Sequence, residues 1–88
     1  MSDPYTYAHQ RLTAVMARVD PAEPGPDHPN LASEYELLAR EVARRLGGDL
    51  LSSSAAETLG AVLLEKLAAP LDRERLATIV EAAQQRQP

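Results

Sequence analysis

The chain has 88 residues, of which 44% are hydrophobic and 25% charged, and it lacks cysteine, tryptophan and phenylalanine. That length supports one small core, and the missing cysteines exclude a disulfide scaffold and a cysteine-ligated metal. Nine basic against 13 acidic residues leave a net charge of -4, the wrong sign for a nucleic-acid backbone or an anionic membrane.

The first predicted element is a helix over residues 4–19. Asp3 is placed to accept backbone N–H groups as an N-cap, and Pro4 stands at the first helical position, where its missing donor costs nothing. Tyr5, Ala8, Leu12, Val15, Met16 and Val19 recur at spacings of three and four and so share a face. The helix is expected to stop at Asp20, because the residue before Pro21 is pushed out of the helical region. Ahead of it, Met-Ser-Asp-Pro-Tyr is neither basic nor apolar, so no secretory signal is read and a cytoplasmic protein is expected.

Residues 20–30 hold four of the seven prolines, three acids and no large apolar side chain. Such a stretch buries too little to offset its ordering entropy, and it reads as a semi-extended linker. The predicted layout is therefore an N-terminal arm (1–19), a Pro-rich acidic linker (20–30) and a three-helix core (31–86).

A second helix is predicted over about 31–46, with Leu31, Tyr35, Leu38, Ala39, Val42 and Leu46 as its apolar stripe. Asn30, or Ser33 in a capping box with Glu36, is the expected cap. Glu34 and Glu36 suit the positive end of the helix dipole, and Arg44 and Arg45 the negative end. Glu36–Arg40 and Glu41–Arg45 are favourable i,i+4 pairs. Gly47 and Gly48 then provide the left-handed residue that ends a helix.

The connection Asp49-Leu50-Leu51-Ser52-Ser53-Ser54 is expected to tuck both leucines under the helices. Ser54 with Glu57 forms a second capping-box pattern and opens a third helix at about 55–69. There Ala55, Ala56, Leu59, Gly60, Val62, Leu63, Leu64 and Leu67 span an arc of about 200°, twice the stripe of an ordinary surface helix. Such a helix touches neighbours on two sides, or turns part of itself toward another chain. Ala56 and Gly60 would let a neighbour's backbone come close. Pro70 breaks the helix and Asp72 caps a fourth, with Leu71 and Leu76 in staple positions and Leu76, Ile79, Val80 and Ala83 as its stripe. Alternation is absent, so no strand is predicted. The fold class is all-α: a small four-helix domain with the first helix joined by the Pro-rich linker to a three-helix unit.

Chemistry-bearing patterns are few. His9 and His28 have no second histidine at ligand spacing, and Asp27 beside His28 is a weak substitute, so no metal site is predicted. Ser52, Ser53 and Ser54 lack the strained turn of a serine nucleophile, and the carboxylates are spread along charged faces. No catalytic residue and no cofactor are expected. Leu46-Gly47-Gly48-Asp49-Leu50-Leu51 resembles the Leu-Gly-x-Asp-Ser-Leu of carrier proteins, but Leu50 occupies the position of the modified serine. Eight of the nine basic residues are arginine, and alanine and leucine are abundant. This bias is typical of GC-rich bacterial genomes.

The reading that remains is a non-catalytic helical interaction protein, acting as a homodimer or as a small accessory or regulatory subunit. Its expected interface residues are Tyr5, Tyr7, Leu12 and Met16 on the arm, and Leu59, Leu63, Leu64 and Leu67 on the third helix. The partner is another copy or another protein; nucleic acid is disfavoured and no membrane is involved. The alternative is a helix-turn-helix regulator whose 71–86 helix would contact DNA through Arg73, Arg75 and Thr78.

Overall fold

Four helices form where the apolar periodicity places them: α1 (Pro4–Val19), α2 (Ala32–Arg45), α3 (Ala55–Leu67) and α4 (Arg73–Gln84). The computed structural model describes residues 3–21 and 31–84, and among these there is no strand. Asn30, His28 and the body of the predicted linker lie outside the described residues.

Local chemistry explains most helix ends. The Asp3 carboxylate accepts the Thr6 amide at 2.8 Å and Asp72 accepts that of Arg75 at 2.8 Å, so both predicted aspartate caps are present. Gly47 and Gly48 end α2 at φ +62° and +79°. Asp20 and Ala68 adopt the same left-handed conformation, at φ 53° and 50°, and their amides return to Met16 and Leu64. Helix α3 thus ends two residues short of its predicted boundary, before the Pro70 restriction is felt.

Both predicted serine capping boxes are absent. The ladder of α2 starts from the Leu31 carbonyl, which accepts the Tyr35 amide at 2.8 Å, so Ser33 already lies inside the helix. Ser54 sits at φ -96°, ψ 7°, a turn geometry from which its hydroxyl pairs with Ser52 Oγ instead. A cap needs extended backbone to aim its side chain at the following amides. Asp3, at ψ 162°, has it; Ser54 does not.

The helices close into a ring in which α1 packs on α2 and α4, and α3 packs on α2 and α4. Helices α1 and α2 run in opposite directions. The start of α1 lies under Gly48, where an added Cβ would come within 2.7 Å of Pro4, while Asp20 at its end accepts from the Tyr35 hydroxyl. Leu12, Met16, Leu38, Leu59, Leu63 and Ile79 fill the centre. The wide arc of α3 serves two neighbours, as its width implies. Gly60 receives the Leu76 side chain, whose Cδ1 would lie 2.8 Å from a Cβ there; it is a notch for a side chain and not for a neighbour's backbone. Of the two connection leucines, Leu50 is buried and Leu51 stands out in solvent. The Leu51 amide donates to Asp49 Oδ1 at 3.0 Å, and this turn directs the two neighbours to opposite sides.

Candidate interaction surface

Helix α1 is held on its own chain by three directional contacts as well as by apolar burial. His9 Nε2 donates to the Glu36 carbonyl of α2 at 3.1 Å. Arg11 reaches the last turn of α4, donating from Nε to the Ala83 carbonyl at 3.1 Å and from Nη2 to that of Ala82 at 3.3 Å. A cation there satisfies carbonyls that lack helical partners and complements the dipole. The Tyr35 hydroxyl donates to Asp20 Oδ1 at 2.5 Å.

The expected interface residues separate accordingly. Leu12 and Met16 of α1 and Leu59 and Leu63 of α3 are fully enclosed in the chain's own core. Tyr5, Tyr7 and Leu64 are exposed, and Leu67 is half-buried against the core. Arg73, Arg75 and Thr78 all fall on the first turns of α4. There the Thr78 hydroxyl donates to the Glu74 carbonyl, and Arg73 lies 3.6 Å from Glu57 on α3.

Several open concavities lie among the described residues, and two of them exceed 400 Å³. One, of about 580 Å³, is lined by Tyr7, Arg11, Asp49, Leu50, Leu51 and Gln84. Two of its polar groups are already engaged, Arg11 with α4 and Gln84 Nε2 with the Leu50 carbonyl at 2.6 Å; it is a structural joint between α4 and the α2–α3 connection. The other is a groove of about 480 Å³ between α2 and α3, with Leu37, Leu38 and Leu67 among its lining residues. Leu38 is buried, whereas Leu37 is 61% exposed.

Charged side chains rim this groove. Glu41 binds Arg44 at 2.5 Å and Arg45 at 2.7 Å, and Arg45 also reaches Glu65 on α3 at 2.8 Å. The hydrogen bonds from Arg44, then Arg45, hold the Glu41 carboxyl down at about 2, and the same contacts raise both guanidinium groups. Glu34 and Lys66 complete the rim and have no ion-pair partner among the described residues. Arg40 meets Glu36 at 3.5 Å with both side chains more than half exposed. That contact is weak and easily exchanged.

Leu37 is the residue that the periodicity argument passes over. It lies off the apolar stripe of α2, so counting i,i+3,i+4 matches discards it. Its signal is its setting: a lone leucine on a face otherwise made of Glu34, Arg40, Glu41 and Arg44.

The described residues contain no group of three or more His, Cys, Asp or Glu placed to hold a metal ion. No buried side-chain polar atom among them is left without a partner, and no helix among them is long and apolar enough to cross a membrane. Comparison with protein-family models, curated proteins and solved structures finds no match.

Proposed function

We propose that this chain is a non-catalytic helical interaction module, working as a homodimer or as a small accessory or regulatory subunit in the bacterial cytoplasm. The observation that carries this reading is Leu37, a large apolar side chain 61% exposed above a leucine-lined groove. The core of this chain is already filled by side chains with almost no exposure. A leucine left outside it, beside a concavity and inside a charged rim, matches the centre-and-rim pattern of protein interfaces. The helix-turn-helix alternative has less behind it. Asp72 and Glu74 stand among Arg73, Arg75 and Thr78 with negative charge, and Glu57 adds another 3.6 Å from Arg73.

A photo-crosslinking residue placed at position 37 tests the reading in cells, with position 81 on the exposed side of α4 as control. A polypeptide adduct at 37 and none at 81 is the expected result. No adduct at 37, together with a monomer in sedimentation from micromolar to submillimolar concentration, overturns it.

A further inference from the structure

We draw no further inference here: the strongest candidate, the leucine-lined groove between α2 and α3 beside the exposed Leu37, is the surface on which the proposed function already rests, and nothing in the structure shows what covers it.

Discussion

The two seams of α2 are held by different physics. Its seam with α1 carries directional contacts: His9 to the Glu36 carbonyl, Tyr35 to Asp20, and Gly48 in direct register with Pro4. Its seam with α3 is a leucine-lined groove bridged at its edge by Arg45 and Glu65. Hydrogen bonds tolerate little misalignment, so the first seam admits one register. Apolar burial is non-directional, so the second is less tightly specified than the first. One side of the helix is closed by its own chain, and the other leaves Leu37 exposed.

The largest expected effects test whether both seams belong to one cooperative unit. Leu12 on α1 and Leu63 on α3 are each wholly enclosed, so Leu12→Ala and Leu63→Ala should each cost about 2–5 kcal/mol in urea unfolding. Similar losses would mean that α1 is a wall of the domain. A loss under about 1 kcal/mol for Leu12→Ala alone, far below the usual cost of such a cavity, would make α1 a separable arm.

Next come the two glycines that end α2, which differ in surroundings. Both have positive φ, so alanine at either costs about 1–2 kcal/mol of left-handed strain. At Gly47 nothing lies within 4 Å of the added methyl, whereas at Gly48 it meets Pro4 at 2.7 Å. Gly48→Ala should therefore destabilise more than Gly47→Ala, and the excess measures how tightly the first turn of α1 is docked. Equal losses would show that the turn yields freely. Tyr35→Phe should cost less, about 1–2 kcal/mol, because it deletes one hydrogen bond to a carboxylate while keeping the buried ring. Amide exchange at the end of α1 should rise in this variant, and unchanged protection there would mean that the bond does not fix the register.

Much of the fold was legible in the chain itself. The four apolar stripes, the Asp3 and Asp72 caps and the Gly47-Gly48 stop are local features, and they appear within about two residues of their predicted places, as helix boundaries do. What could not be read depends on distant neighbours. Whether the first helix packs at home is decided by contacts such as His9 with Glu36 and Arg11 with Ala83, 27 and 72 residues apart. The same holds for the candidate surface. Periodicity identifies which leucines share a face, and Leu59 and Leu63 do; packing of α3 on α2 and α4 then encloses them in the chain's own core. Leu37 survives because nothing among the described residues covers it.

The smallest effect concerns the rim of the open seam and appears only in acid. Glu41 is held at about 2 against an ordinary 4.5, so the folded state binds its proton less readily than the unfolded chain does. Above the unfolded value both states are ionised, and the stabilisation from Arg44 and Arg45 is fully present. As pH falls, the unfolded chain takes up the proton first, so stability declines from about 4.5 and the contribution is gone once the folded carboxyl is also protonated near 2. Glu41→Gln, which lacks that ionisation, should be less stable than the wild type at neutral pH by a constant margin. The margin should close between those two values when urea unfolding is followed at successive pH. A margin that stays constant through this window would show that the ion cluster adds nothing to the folded state. The charged edge of the groove would then be free to rearrange around Leu37 at no cost to the fold.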